Sequence, residues 1–273
     1  MDALITTDEL AARTDRVVLL DVRWRLEAPD GRPAYRSGHL PGAVYVDLGA
    51  ELAGAPSPEA GRHPLPEPGA LQAAARRWGV RDGDLVVAYD DLGGMSAARA
   101  WWLLTDAGVD ARVLDGGLAA WRGAGLPLEA GDVEPEPGDV VLAPGRLPVI
   151  DLEGAATFPG VLLDARAGER YRGEVEPIDP RAGHIPGAVT APTAGNLDPD
   201  GRFLPADALR ARFEALGVRE GEPVAAYCGS GVTAAHEALA LTVAGFAPAL
   251  YPGSWSQWSN RPGAVVAVGP EPR

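Results

Sequence analysis

The sequence contains a single cysteine, Cys228, and four histidines among its 273 residues. One cysteine cannot form an internal disulfide, and the scattered histidines lack the ligand spacing of a structural zinc site. Long hydrophobic runs are also missing, since no window approaches the uninterrupted apolar length of a membrane span. We therefore expect Cys228 to be a free thiol in a reducing compartment.

The N-terminus and the composition narrow the class of protein. The opening stretch MDALITTDELAART has neither the basic nor the apolar region of a secretory signal peptide. With 46% hydrophobic residues, the chain can bury a sizeable core and is long enough for one large domain or two ordinary ones. These features predict a soluble globular protein of the cytoplasm.

Positive charge is scarce, because 24 lysines and arginines face 38 aspartates and glutamates, which gives a formal net charge of −14. Nucleic acid and anionic membrane surfaces are poor partners for such a protein. An anionic substrate would need a local group of basic side chains. The arginines near Cys228 are therefore candidates for substrate binding.

Four segments of the first half return in the same order in the second half. VVLLDVRW (17–24) returns as GVLLDARA (160–167), GHLPGAV (38–44) as GHIPGAV (183–189), WGVRDGDLVVAYDDLGG (78–94) as LGVREGEPVAAYCGSGV (216–232), and GVDARVLDGGLAAW (108–121) as GFAPALYPGSWSQW (245–258). A period of roughly 140 residues is the size of a domain rather than of a solenoid repeat. We predict an N-terminal domain over residues 1–127, a Pro- and Gly-rich acidic linker over 128–147, and a C-terminal catalytic domain over 148–273.

Predicted strands and helices alternate within each copy. Short apolar runs have the length of buried strands, at Val17–Asp21, Leu85–Tyr89 and Val161–Asp164. Helical stretches follow at Leu71–Trp78, Ser96–Thr105, Asp207–Leu216 and Thr233–Val243. This alternation predicts an α/β fold in which each copy forms a mainly parallel sheet flanked by helices. Ligands of such folds bind outside the carboxyl ends of the strands, and Cys228 directly follows the predicted strand PVAAY.

The loop CGSGV after this strand is typical of an anion-binding turn. Gly229 and Gly231 let the backbone curl around the sulfur, and the N-terminus of the next helix directs N–H groups inward. Such a loop favours a nucleophilic Cys228 thiolate or its persulfide, with a buried structural cysteine as the alternative. The first copy has Asp90 at the matching position, so we expect the second copy to be the catalytic one.

Together these features resemble a two-domain rhodanese-type sulfurtransferase. The resemblance is carried by the tandem copies with Asp90 and Cys228 at matching positions, by the GHxPGA motif in each copy, and by the C-terminal GSWSQW. It implies two similar α/β domains and sulfur transfer through a Cys228 persulfide, with no metal or organic cofactor. The loop CGSGVT is most similar to the 3-mercaptopyruvate sulfurtransferases, because thiosulfate-using relatives carry basic residues directly after the cysteine.

The resemblance therefore implies transfer of a sulfane sulfur from 3-mercaptopyruvate to a thiol acceptor, such as thioredoxin or a small thiol, with release of pyruvate. A thiosulfate sulfurtransferase that delivers sulfur to cyanide or a thiol is the alternative within the family. Cysteine phosphatases share the strand, loop and helix, but they need an arginine six positions after the cysteine, where this chain has Ala234. A redox sensor would need a resolving cysteine, and a binding module without catalysis fits the first copy alone.

The resemblance also implies a proton relay of Ser230, His39 and Asp30, which together with Cys228 would form the catalytic set. The spacing DGRPAYRSGH from Asp30 to His39 fits the family pattern. His184 occupies the same motif in the second copy, so a structural role for both histidines is the alternative.

Substrate binding is expected from arginines and from the loop. Arg170 falls where the resemblance places a carboxylate-binding arginine, and a guanidinium suits a planar carboxylate. The family's second binding arginine is replaced by Ile178, for which Arg181 is a candidate substitute. Gly229, Gly231, Val232 and Thr233 complete the expected substrate-binding set, with helix capping as the alternative role of Thr233.

Overall fold

The computed structural model describes residues 2–272, which form two compact units. Unit 1 runs to Gly54 and also contains Leu65–Leu147 and Pro199–Phe203. Unit 2 contains Ala55–Pro64, Pro148–Asp198 and the residues from Leu204 onward. We call Ala55–Pro64 the crossing segment, because it packs within unit 2 although unit 1 precedes and follows it in sequence.

Unit 1 contains a parallel sheet of five strands. The strands are β1 (Leu4–Ile5), β2 (Val17–Asp21), β3 (Val44–Tyr45), β4 (Leu85–Tyr89) and β5 (Asp110–Leu114). Their order is β1-β5-β4-β2-β3, and every neighbouring pair is parallel. The central strand β4 is buried along its whole length, which explains why it reads as a continuous apolar run.

The helices of unit 1 connect these strands. They are α1 (Thr7–Ala11), α2 (Arg32–Ser37), α3 (Leu48–Glu51), α4 (Pro68–Arg77), α5 (Ala97–Asp106) and α6 (Gly117–Gly123). A capping box between Thr6 and Glu9 starts α1. Proline at the first position starts α4, because that position needs no N–H donor.

Unit 2 repeats this arrangement with four parallel strands in the order β7-β6-β8-β9. The strands are β6 (Val161–Asp164), β7 (Val189–Thr190), β8 (Val224–Tyr227) and β9 (Ala249–Leu250). The helices are α7 (Leu152–Ala156), α8 (Gly168–Tyr171), α9 (Ala206–Ala215), α10 (Val232–Val243) and α11 (Ser254–Trp258), with a 3-10 turn at Thr193–Asn196. In residues 2–272 no helix is long and apolar enough to cross a lipid bilayer.

The predicted α/β fold with two parallel sheets is confirmed. The strands β2, β4 and β6 begin and end at the predicted residues, and the four predicted helices are present as α4, α5, α9 and α10 with ends shifted by at most three residues. The predicted linker 128–147 runs along unit 1 without a regular strand. Its backbone N–H groups at Gly138, Val140 and Ala143 donate to carbonyls of unit 1.

Helix α10 of unit 2 carries a buried glutamate. Glu237, on α10, is fully buried, and its carboxylate accepts a hydrogen bond from the Asn196 amide at 2.7 Å. The guanidinium of Arg212 on α9 lies 3.5 Å from the same carboxylate. Burial raises the pKa of Glu237 to about 7, because a low-dielectric environment disfavours the charged form.

This burial predicts a pH-dependent stability. From its ordinary pKa of 4.5 up to about pH 7, Glu237 keeps a proton in the folded chain that the unfolded chain has released. The free energy of unfolding should therefore fall as the pH rises through this range, by up to roughly 3 kcal/mol from this group. Urea unfolding at about pH 5 and about pH 8 measures the fall, which Glu237→Gln should remove.

Glu214→Gln is the matched control, because Glu214 lies on α9 with its carboxylate 46% exposed. This control should keep the pH dependence of the wild type. The same dependence in the wild type and in Glu237→Gln would contradict the prediction.

Candidate active site

Cys228 lies in the loop between β8, which ends at Tyr227, and α10, which begins at Val232. Its side chain is buried, and the backbone N–H of Gly231 donates to Sγ at 3.1 Å. Gly231 has a φ of 88°, and a Cβ at this position would overlap the carbonyl oxygen of Pro252. The turn that directs this N–H at the sulfur therefore requires glycine.

The first residues of α11 fix the backbone of this loop. The N–H of Trp255 donates to the carbonyl of Cys228, and the N–H of Ser256 donates to the carbonyl of Gly229, both at 2.9 Å. The C-terminal motif GSWSQW is thus a support of the cysteine loop. Because the two carbonyls are bound to α11, they are not available to face an anion in the loop.

Ser254 adds a side-chain contact to this support. Its Oγ accepts the N–H of Cys228 at 3.1 Å and donates to the carbonyl of Tyr251 at 2.8 Å. Among residues 2–272, Ser254 is the one non-glycine residue with a left-handed backbone, at φ 53°. The first copy has Gly117 at the matching position with φ 52°. Unit 2 therefore tolerates backbone strain at a residue whose hydroxyl binds the nucleophile's own amide.

The matching loop of unit 1 contains an anion of its own. Asp90 follows β4, is buried, and accepts four backbone N–H groups at 2.8–3.0 Å, from Leu92, Gly94, Ser96 and Ala97. Burial raises the pKa of the Asp90 carboxyl, and the four N–H donors act in the opposite direction. In unit 1, the N–H groups of the loop and of the start of α5 are thus directed at the acidic side chain of the first loop residue.

Two guanidinium groups lie beside the cysteine loop. A Cβ on Gly229 would be 3.1 Å from Nη2 of Arg62 and 3.3 Å from Nη1 of Arg170. Arg62 comes from the crossing segment and Arg170 from α8. The side chains are 27% and 18% exposed, respectively. Both can therefore meet a small anion that enters next to Cys228.

A histidine of the crossing segment contacts the loop as well. Nδ1 of His63 lies 2.9 Å from Oγ of Ser230. The backbone N–H of Arg62 donates to Oγ of Ser256 on α11 at 3.0 Å. The helix that supports the cysteine loop therefore also positions the crossing segment.

Arg62 and His63 are not predicted as site residues from the sequence. They stand in the irregular stretch AGRHP, which belongs to no repeated motif, and His63 is 167 residues away from Ser230. An adjacent arginine and histidine in a segment without helix or strand periodicity was the available signal. Nothing in the pattern placed that segment within unit 2.

The structure corrects the expectation for His39. Its ring is fully buried in unit 1, donates from Nδ1 to the carbonyl of Tyr35 at 2.9 Å, and stacks on the Tyr35 ring at 4.1 Å. His184 repeats these contacts in unit 2 with Tyr171, at 2.8 Å and 3.8 Å. These contacts favour the structural role of both histidines over the relay through His39, because the same ring contact is present in both copies and Ser230 bonds a different histidine.

The contacts of Asp30 and Arg181 do not support the roles expected for them either. Asp30 is exposed, and its carboxylate accepts the N–H of Arg32 at 3.0 Å, which is a local turn contact. The guanidinium of Arg181 is hydrogen-bonded to backbone carbonyls rather than directed at the cysteine loop. It donates at 2.6–3.2 Å to the carbonyls of Trp258, Ser259, Arg261 and Ala264.

The remaining loop residues lie where the sequence placed them. Gly229 and Gly231 are in the turn, Val232 begins α10 and is buried, and Thr233 is half-buried in the first helical turn. Gly231 occupies the N-cap position and no side chain caps α10, so Thr233 has no capping role. Within residues 2–272, no group of three or more His, Cys, Asp or Glu side chains is placed to hold a metal ion.

Comparison with known families agrees with this geometry. Residues 6–124 and 151–261 each match the family model of the rhodanese-like domain. The chain belongs to the rhodanese family. Both rhodanese-like domains include the loop after the central strand, with Asp90 in the first domain and Cys228 in the second. The predicted family is thereby confirmed.

Individual relatives cover nearly the whole chain. SseB of Mycobacterium tuberculosis (strain ATCC 25618 / H37Rv), named as a thiosulfate sulfurtransferase, is 48% identical over 97% of each chain. A Pseudomonas aeruginosa protein named as a 3-mercaptopyruvate sulfurtransferase is 50% identical over 97% of this chain and 98% of its own. The crystal structure of SseA from Escherichia coli, titled as a 3-mercaptopyruvate sulfotransferase with the rhodanese fold, is 34% identical with a TM-score of 0.80, and covers 93% of this chain and 99% of SseA.

The geometry of the loop predicts that replacement of two glycines of unit 2 by alanine lowers the free energy of unfolding to different extents. Gly231→Ala should lower the free energy of unfolding by about 1–3 kcal/mol more than Gly221→Ala, as measured by urea unfolding. Both residues have a positive φ, of 88° and 78°, but a Cβ at Gly221 has no atom within 4 Å. Equal losses in the two variants would show that the contact with Pro252 does not constrain the loop.

Proposed function

We propose that this sulfurtransferase takes a sulfane sulfur from 3-mercaptopyruvate and passes it to a thiol acceptor through a persulfide on Cys228, releasing pyruvate. The observation that carries the proposal is the arrangement around Sγ. The nucleophile lies in an uncharged loop, receives a backbone N–H, and has Arg62 and Arg170 beside Gly229. That arrangement combines a stabilised sulfur anion with cations for a carboxylate whose carbon is three bonds away from the reacting sulfur.

The first half of the reaction forms the persulfide. The Cys228 thiolate attacks the sulfur of 3-mercaptopyruvate, the substrate's carbon–sulfur bond breaks, and its electron pair leaves with carbon as the enolate of pyruvate. The proton of the substrate thiol moves to the enolate carbon, which gives pyruvate and leaves the outer sulfur anionic. Loop N–H groups, arranged as around Asp90 in unit 1, would stabilise this outer sulfur.

Ser230 and His63 are placed to carry that proton. Their Oγ and Nδ1 atoms are 2.9 Å apart, and Ser230 is two residues from the nucleophile. The Ser230 hydroxyl can pass its own proton to Nδ1 of His63 as it takes the proton of the substrate thiol, and the reverse transfer then protonates the enolate carbon. In this proposal His63 takes the role that the sequence had suggested for His39.

The second half of the reaction restores the thiol. An acceptor thiolate attacks the outer sulfur of the persulfide, so the acceptor leaves as a persulfide and Cys228 returns as a thiolate. A small thiol or a thioredoxin-like protein could act as acceptor, and both are available in the reducing cytoplasm that we propose as the location.

A second candidate is sulfur transfer from thiosulfate to cyanide or a thiol. The name of the Mycobacterium tuberculosis relative favours it, as does the presence of two guanidinium groups beside Cys228. Steady-state kinetics with both donors on the same preparation discriminate the two functions. A wild type that strongly prefers thiosulfate would overturn the proposed donor.

The nucleophile can be tested by mass and by activity. Cys228→Ser should abolish sulfur transfer while keeping the fold, because the two side chains are nearly isosteric and Cys228 is the single thiol of the chain. Treatment with donor alone should add one sulfur atom to the wild type, removable by a reductant, and none to the variant. Sulfur transfer by Cys228→Ser, or a wild type that gains no sulfur, would contradict the persulfide.

Replacement of Ser230 or His63 should slow turnover of 3-mercaptopyruvate but not of thiosulfate. Thiosulfate carries no proton on its transferred sulfur and releases sulfite, whereas 3-mercaptopyruvate needs a proton moved. We therefore expect Ser230→Ala and His63→Ala each to lower kcat with 3-mercaptopyruvate by about 10-fold or more, with little change for thiosulfate.

The double variant should lose little beyond either single variant, because the two side chains act as one unit. Ser57→Ala is the control, since Ser57 also lies in the crossing segment but bonds the backbone of Ala60. Equal losses with both donors would show that Ser230 and His63 only shape the loop.

A further inference from the structure

Two buried carboxylates hold the arginines of the site. Asp179 forms an ion pair with Arg62 through one oxygen, and its other oxygen lies 3.4 Å from Nη2 of Arg170. Glu176 accepts from the same Nη2 at 2.7 Å. The side chains of Asp179 and Glu176 are only 4% and 3% exposed. Solvent therefore screens these pairs weakly, and their charges act on whatever lies beside Gly229.

The ion pairs connected to the two arginines are balanced in charge. Glu176 also lies 3.5 Å from the guanidinium of Arg166, which is paired with Asp164 at 2.6 Å. Three guanidinium groups and three carboxylates thus form one connected set. Its formal charge is zero, although its members present guanidinium N–H groups to the cysteine loop.

Position 178 contributes no further cation. Ile178, where the family resemblance places a second arginine, is 38% exposed, and its backbone N–H donates to Glu176 at 3.2 Å. The second guanidinium beside the loop is instead Arg62, which is bound to Asp179. The site therefore has two arginines with directed N–H groups but little net positive potential.

The two candidate donors respond differently to such a site. 3-Mercaptopyruvate has one negative charge, on a carboxylate that a guanidinium can bind by hydrogen bonds. Thiosulfate has two, concentrated next to the transferred sulfur, so its binding depends more steeply on the net potential.

We propose that Asp179 is a specificity-determining residue, whose buried carboxylate offsets the charge of Arg62 and Arg170 and so disfavours doubly charged thiosulfate relative to singly charged 3-mercaptopyruvate. This inference rests on the proposed function, because it concerns the choice of donor at the same cysteine. Asp179 acts through the two arginines and need not touch the donor.

Asp179→Asn tests the inference, because asparagine keeps the size and one carbonyl oxygen but removes the charge. The ratio of kcat/KM for thiosulfate to that for 3-mercaptopyruvate should rise by about 10-fold in low salt. Raising the ionic strength from about 0.02 M to about 0.5 M should remove most of this gain, since salt screens a charge effect. A change in arginine position alone would not depend on salt in this way.

Glu174→Gln is the matched control. Glu174 lies in the same loop and pairs with Arg172, but its carboxylate is 55% exposed. Its replacement changes the net charge of the protein by the same amount and should leave the ratio unchanged. If Asp179→Asn does not fold, Glu176→Gln makes the same charge change among the connected ion pairs and carries the same expectation.

An unchanged ratio, or a rise that high salt does not reduce, would overturn the inference. Failure of the proposed function gives a different result, namely no turnover of 3-mercaptopyruvate by the wild type. In that case thiosulfate kcat/KM alone decides the inference, and it must rise in Asp179→Asn and not in Glu174→Gln.

Discussion

The active site depends on the hydrogen bonds by which α11 holds the carbonyl groups of Cys228 and Gly229. A short loop can direct N–H groups at one atom only if its carbonyl groups are satisfied elsewhere. Here the N–H groups of Trp255 and Ser256 donate to these two carbonyls. The N–H of Gly231 can then face Sγ. The same Ser256 anchors the backbone of Arg62, so one short helix determines the position of both the nucleophile and the crossing segment.

The first copy has an aspartate, Asp90, in place of the cysteine at the start of this loop. Asp90 satisfies four N–H groups with its own carboxylate, so the loop of unit 1 is complete as a structural element. In unit 2, the Sγ of Cys228 accepts the N–H of Gly231 at 3.1 Å. A second sulfur on Cys228 would lengthen this side chain, and the Asp90 carboxylate shows that a longer acidic side chain at the matching position can accept four N–H groups.

The fold could be predicted closely because its signals are local. Buried parallel strands such as Val161–Asp164 read as apolar runs, and the position of Cys228 follows directly from the end of the next strand. The residues that contact the cysteine loop were harder to predict, because they come from segments that are remote in sequence. A prominent motif points to His39, whereas His63 stands in a stretch without periodicity. Arg181 is close to Ile178 in sequence, but this nearness does not reveal that its guanidinium is hydrogen-bonded to backbone carbonyls.

The duplication itself separates structural residues from functional ones. In each unit, an arginine paired with an aspartate donates to the carbonyl of the glycine before the motif histidine. Arg23, paired with Asp21, donates to Gly38. Arg166, paired with Asp164, donates to Gly183. Since unit 1 has no thiol, a contact present in both units serves the shared framework, and the stacked histidines belong to this group. The site's reactive and charged groups, in contrast, lie at positions where the copies differ, as Cys228 does, or in the crossing segment, which has no counterpart among the repeated motifs. A residue conspicuous in both copies is for that reason a poor candidate for catalysis in one of them.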